Sequence, residues 1–166
     1  MGVNYEECFV FGFFIDVLPF FAKADIEGQM YSDLNLSIST LGEKIEHCRK
    51  IALENKPSES TISYLKDKPD SFFSILPYVN YLAMEKCTLE QKKNLAYVLL
   101  YVKSNSSRET TINLIKSTEK LTFSVDHSQK VNFESLDQES KAFILSNDFF
   151  SKPFDVLGLF EKVTEE

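Results

Sequence analysis

Between residues 34 and 52 the apolar positions Leu34, Ile38, Leu41, Ile45, Cys48 and Ala52 step by four and three in turn. On a helix that spacing lines one face, because about 3.6 residues complete a turn. Glu43, Lys44, Glu46, Lys50 and Glu54 fall outside the seam, and Ser32 or Asp33 stands where an N-cap belongs. The seam is short for a coiled coil, so it reads first as a packing face within a bundle. Upstream, Cys8 to Phe21 is apolar nearly all round. That is the pattern of a central helix, expected here over Tyr5–Ala24, with Pro19 kinking or restarting it. Asp25 to Tyr31, containing Gly28, reads as a loop.

Downstream, Lys56-Pro57-Ser58 and Lys68-Pro69-Asp70 interrupt the pattern. Ser58 should open a short helix through Ile62 and Leu65. Asp70 should open a run through Phe72, Phe73, Leu76, Val79, Leu82 and Ala83, kinked at Pro77. Thr88-Leu89-Glu90-Gln91, Ser106-Ser107-Arg108-Glu109 and Ser135-Leu136-Asp137-Gln138 each match a capping box, so helices are expected to start at all three. Leu121, Phe123 and Val125 alternate with Thr122 and Ser124, and Val131 and Phe133 flank Asn132 beyond a polar stretch at residues 126–129. Period-two alternation on both sides of such a turn predicts a β-hairpin. A last helix is expected from Pro153 to Val163. Together these elements predict a mainly α chain: a single-domain bundle of six to seven helices over residues 1–166, with one small β-hairpin near residues 120–134.

Composition changes this picture in a few places. The chain holds fifteen Phe and no Trp, and phenylalanine has no polar atom to satisfy, so most of it belongs in the core. The formal net charge is −7, with one lysine against five carboxylates in residues 1–30 and five lysines against ten carboxylates in residues 119–166. Nucleic-acid binding draws its affinity from clustered Lys and Arg, yet Arg49 and Arg108 are the only arginines. Direct nucleic-acid binding is therefore disfavoured; the acidic ends either keep the chain soluble, the commoner case, or favour a basic protein partner. Cys8, Cys48 and Cys87 are odd in number and fit no metal-ligand spacing. They point to free buried thiols and a cytoplasmic setting. The Cys8–Phe21 run is shorter than the roughly 20 apolar residues that span a bilayer. Asp16, Pro19 and the preceding Glu6-Glu7 also argue against a membrane span or a secretory signal.

Candidate chemistry is sparse. His47 and Cys48 are helix neighbours and do not face each other, so they make a poor nucleophile–base pair. His127 falls in the proposed hairpin turn, with no metal-ligand partner at local spacing. The glycines are scattered singly, which excludes a phosphate-cradling loop. No catalytic, cofactor or metal residue is assigned. Asp16 is the polar residue inside the most apolar segment. It would serve either a ligand or proton-handling pocket or, as the commoner case, a structural bond to a tyrosine hydroxyl. Tyr78, Tyr81, Tyr97 and Tyr101 fall on two helices expected to pack antiparallel, and Tyr97 and Tyr101 share one face at four-residue spacing. Tyrosine combines large area with a polar tip and is enriched where proteins dock, although packing at the edge of a core is the commoner use of such a pair.

These features predict a non-catalytic protein-interaction domain, monomeric or homodimeric. In size and charge it resembles, as a format, the antitoxin and immunity proteins that neutralise basic partners, often nucleases. On this reading the partner-binding residues are Tyr97, Tyr101, Glu134, Asp137, Glu139, Asp148 and Asp155. The alternative is a helical adaptor that self-associates or binds a peptide, which the 34–52 seam motivates. A third reading is a small-ligand protein or enzyme built on Asp16.

Overall fold

A computed structural model describes residues 18–124 and 127–164. Cys8, Asp16 and most of the expected Tyr5–Ala24 helix lie outside them. The described residues form α1 (Leu18–Glu54), α2 (Glu59–Lys66), α3 (Asp70–Phe73), α4 (Leu76–Asn105), α5 (Glu109–Phe123), α6 (His127–Glu134), α7 (Gln138–Ser146) and α8 (Val156–Thr164). The chain is thus mainly helical, as its patterning predicts.

The two long helices organise the rest. In α1, Met30, Leu34, Ser37, Leu41 and Cys48 form one buried stripe, which takes Leu34, Leu41 and Cys48 from the seam read from sequence and leaves Ile38, Ile45 and Ala52 half-buried. The expected Asp25–Tyr31 loop is instead continuous helix. A glycine costs a helix only about 1 kcal/mol relative to alanine, too little for Gly28 to end one. Pro19 is helical in α1, and the residues before Leu18 lie outside those described. Pro77 sits in the first turn of α4, where its missing N–H has no intrahelical partner to lose, and does not kink it. The Thr88 pattern does not start a helix. Thr88 lies mid-helix, buried, and its hydroxyl donates to the Met84 carbonyl at 2.8 Å. Neither Gly nor Pro interrupts residues 78–105, so nothing there forces a break.

α1 and α4 pair antiparallel and make the most extensive helix contact among the described residues. Asn94 Nδ2 reaches Ser37 Oγ at 3.4 Å across the pair. Nearer the other end a disulfide joins Cys48 to Cys87, with Cα atoms 6.2 Å apart. The expectation of free thiols is therefore corrected for these two residues. Their separation of 39 residues matches no local motif, and only the antiparallel register brings them together.

α5 covers one flank of this hairpin, burying Thr111, Ile115 and Thr118 at helical spacing. Lys103 donates to Glu119 at 3.0 Å, Lys92 to the Thr122 carbonyl at 3.1 Å, and Arg108 pairs with Glu27 at 2.6 Å. Lys92 also pairs with Glu85. The residue preceding α5 is Arg108, which makes no side-chain cap, so the Ser106 box is not formed. The expected hairpin is also overturned: α5 runs through Phe123, α6 follows from His127, and no strand occurs among the described residues. Its apparent alternation is not a burial pattern, since Leu121 is 86% exposed and Phe123 41%.

The first turns of α4 enter a second cluster with α2, α3, α7 and α8. Leu65, Phe72, Leu76, Ile144, Phe150, Phe154 and Leu159 are among its buried residues. Phe149, Phe150 and Phe154 pack with ring centroids 5.0–5.4 Å apart. Asparagines hold that turn in place. Asn55 Nδ2 donates to the Phe149 and Pro153 carbonyls at 2.8 and 3.1 Å, and Asn80 Oδ1 accepts from the Phe154 amide at 3.0 Å. Truncating fully buried Phe154 would cost about 3–5 kcal/mol. α7 starts after Asp137 and not at Ser135, and α8 after Asp155 and not at Pro153. No helix among the described residues is long and apolar enough to cross a membrane.

Candidate interaction groove

With Leu95, Leu99 and Val102 turned inward on α4, helical phase sends Tyr97 and Tyr101 outward. They are 70% and 46% exposed. On α1 the same phase exposes Leu36 beside buried Ser37. The two edges meet over a groove of about 400 Å3, lined by Asp33, Leu36, Ser37, Tyr97, Val98 and Tyr101. Lys92 and Lys103, which reach α5, lie round the opposite side of α4 by phase. The groove therefore occupies the flank that α5 leaves bare. Asp33, half-buried, accepts one hydrogen bond from Gln29 Nε2 at 2.8 Å. An ionised carboxylate has further acceptor capacity.

The five carboxylates expected to bind a partner are placed elsewhere, all exposed. Asp137 caps α7, accepting from the Ser140 amide at 2.8 Å, and Asp155 caps α8, accepting from the Gly158 amide at 3.1 Å. Asp148 pairs with Lys152 at 2.6 Å, and Glu134 with Lys130 at 3.6 Å. Glu139 stands in the first turn of α7. Hydrogen bonds from the Ser140 backbone and hydroxyl hold Asp137 below the usual carboxylate range, and the Lys152 ammonium does the same for Asp148. These acids surround the second cluster. Along α4, Val79 of that cluster and Tyr97 are 18 positions apart, or roughly 27 Å at helical rise. The tyrosine pair and the acids thus form two separate surfaces.

Other candidates resolve individually. All four tyrosines ride on α4, not on two helices. Tyr78 is buried against Phe133 and Tyr81. Burial, then the charge of Glu85, pushes the Tyr81 phenol upward. The Leu34–Ala52 seam is used inside the chain against α4, so self-association through it would require opening the hairpin. His47 is exposed, and its neighbour Cys48 is in the disulfide. His127 is the first residue of α6, and Asp16 lies outside the described residues. No metal-binding group of His, Cys, Asp and Glu occurs among the described residues. A larger cleft of about 540 Å3 runs between Lys68 and Asn132. Its Asp137 is engaged in the α7 cap, and its Ser140 accepts from the Tyr64 hydroxyl at 3.4 Å.

The sequence singles out Tyr97 and Tyr101, which line the groove, but not Leu36, and it offers Asp33 only as a possible cap. The available signal was Leu36 itself, an apolar residue off the seam of its own helix. Comparison with protein-family models, curated proteins and solved structures yields no match for this chain.

Proposed function

We propose that the chain is a non-catalytic protein-binding domain that docks a basic partner on the α1–α4 groove. The observation that carries this reading is the exposed pair Tyr97 and Tyr101, set with Leu36 and Asp33 around one groove on the flank α5 leaves bare. Tyrosines at the centre of a docking patch carry a disproportionate share of binding energy. The net charge of −7 supports a basic partner, drawn in by long-range attraction. Glu134, Asp137, Glu139, Asp148 and Asp155 lie too far along the molecule to share a small patch with the tyrosines. They act on encounter rate, or at the rim of a larger interface. In size and charge the format resembles antitoxin and immunity proteins, and neutralising a basic enzyme, such as a nuclease, is the specific form of the proposal. Use of the seam within the chain supports a monomer over a homodimer. The Cys48–Cys87 bond supports an oxidising compartment over the cytoplasm as the place of binding.

The test is capture from the native host with the tagged chain and with its Tyr97→Ala/Tyr101→Ala variant, at low and moderate salt. One stoichiometric basic partner, held by the parent chain and lost from the variant and at higher salt, is the expected result. Identical capture by both proteins, or recovery of the bait alone, would remove the reading.

A further inference from the structure

Resting on that docking reading, we propose that the groove is built for one arginine side chain of the partner. The guanidinium lies against the Tyr97 and Tyr101 rings and is paired with the Asp33 carboxylate. Three observations converge on this chemistry. The groove carries two tyrosine rings and a half-buried carboxylate, and no cation lines it. Its volume of about 400 Å3 falls within the roughly 300–1,000 Å3 typical of ligand-sized clefts. The rest of its lining, Leu36 and Val98 with the Ser37 hydroxyl, offers apolar surface for a methylene stem.

Charge decides among occupants. An anion would meet the carboxylate and the negative faces of the rings. A wholly apolar side chain would strip water from Asp33 without replacing its hydrogen bonds. Guanidinium answers both demands: it is flat, weakly hydrated, stacks on aromatic rings and forks onto a carboxylate. Lysine offers only a point charge that holds its water more tightly. The chain already sets one cation over a tyrosine ring, Lys68 Nζ standing 4.2 Å from the centre of the Tyr64 ring.

The experiment is calorimetric titration of the full chain with a blocked hexa-arginine peptide at low salt, with hexa-lysine for comparison. Asp33→Asn and Tyr97→Ala should each weaken hexa-arginine binding about tenfold. Glu161→Gln, on α8 and far from the groove, should change it less than about twofold, and hexa-lysine should bind more weakly than hexa-arginine. Both groove variants alter exposed or half-buried side chains, and thermal melts confirm that they fold. Hexa-arginine binding that survives Asp33→Asn unchanged overturns the inference. So does its absence in the parent chain. If a captured partner still depends on Tyr97 and Tyr101, either outcome removes the arginine site and leaves the docking reading standing. If capture is also insensitive to the tyrosines, both fall.

Discussion

Breaking the bond between Cys48 and Cys87 should cost this domain a large part of its stability. The bridge closes a loop of 39 residues that contains α2, α3 and the first turns of α4. In the chain-entropy treatment, closing a loop of that length removes about 13 cal/mol/K from the unfolded ensemble, or about 4 kcal/mol at 25 °C. Native domains are typically stable by only about 5–15 kcal/mol, so the loss is a large share of the total. The perturbation is the Cys48→Ala/Cys87→Ala variant, and separately reduction of the parent protein. Alanine avoids placing an unpaired hydroxyl at Cys48, which is fully buried. Urea unfolding followed by circular dichroism should show both samples weaker than the oxidised parent by about 4 kcal/mol. Their m-values should rise, because the unlinked chain exposes more surface when unfolded. The thermal midpoint should fall by roughly 8–16 °C for a chain of this size. Under denaturing conditions the oxidised protein should titrate one thiol, Cys8, and the reduced protein all three of its cysteines. Equal midpoints with and without reductant, together with three reactive thiols in unreduced protein, would refute the covalent clasp.

Gly28 and Gly42 lie within α1, neither has a positive φ, and nothing stands within 4 Å of a Cβ added at either. Gly28→Ala and Gly42→Ala should each raise unfolding free energy by roughly 0.5–1 kcal/mol, and a lowered urea midpoint at position 28 would argue that the helix breaks there. Asp155→Ala should remove the α8 cap at a cost of about 1 kcal/mol while Asp155→Asn retains it; equal loss in both would mean that charge, and not the hydrogen bond, is at work. Asp137 and Asp148 have folded-state pKa values lowered below 3.8, by Ser140 and by Lys152 respectively. Each therefore contributes stability that is present above about pH 4 and lost as the pH falls through its lowered value. The fall in urea midpoint from pH 5 to pH 2 should be shallower in Asp137→Asn and Asp148→Asn than in the parent, and parallel curves would contradict the assignment.

How far the fold could be read from sequence depended on whether a pattern reported burial or only composition. The 34–52 seam reported burial, because Leu34, Leu41 and Cys48 do face inward. The Leu121–Phe133 alternation reported nothing of the kind: α5 buries Thr111, Ile115 and Thr118, and two of these are polar residues that a hydrophobicity pattern overlooks. Local capping signals misplaced boundaries for a related reason. Thr88 finds a partner one turn back, while the real caps of α7 and α8 are Asp137 and Asp155, which in sequence look like surface charges for a partner. Most of the phenylalanines that can be placed do enter or border the core, as expected of an apolar ring. The disulfide and the Asp33–Tyr97 groove were out of reach, since each joins α1 to α4 across residues far apart in sequence. The acidity of residues 119–166 was legible as charge but not as shape, and the fold sets Glu134, Asp137, Glu139, Asp148 and Asp155 apart from the tyrosines.

The central claim is that partner binding passes through the tyrosine groove. Its most direct test is calorimetric titration of the captured partner, once purified, into the parent chain and into Tyr97→Ala/Tyr101→Ala, with matched thermal melts. Loss of both exposed rings should weaken Kd by at least about thirtyfold, the sum of two interface tyrosines at roughly 1 kcal/mol each, with melting unchanged. Unaltered affinity in a variant that melts like the parent would contradict the claim and move the docking surface away from the α1–α4 flank.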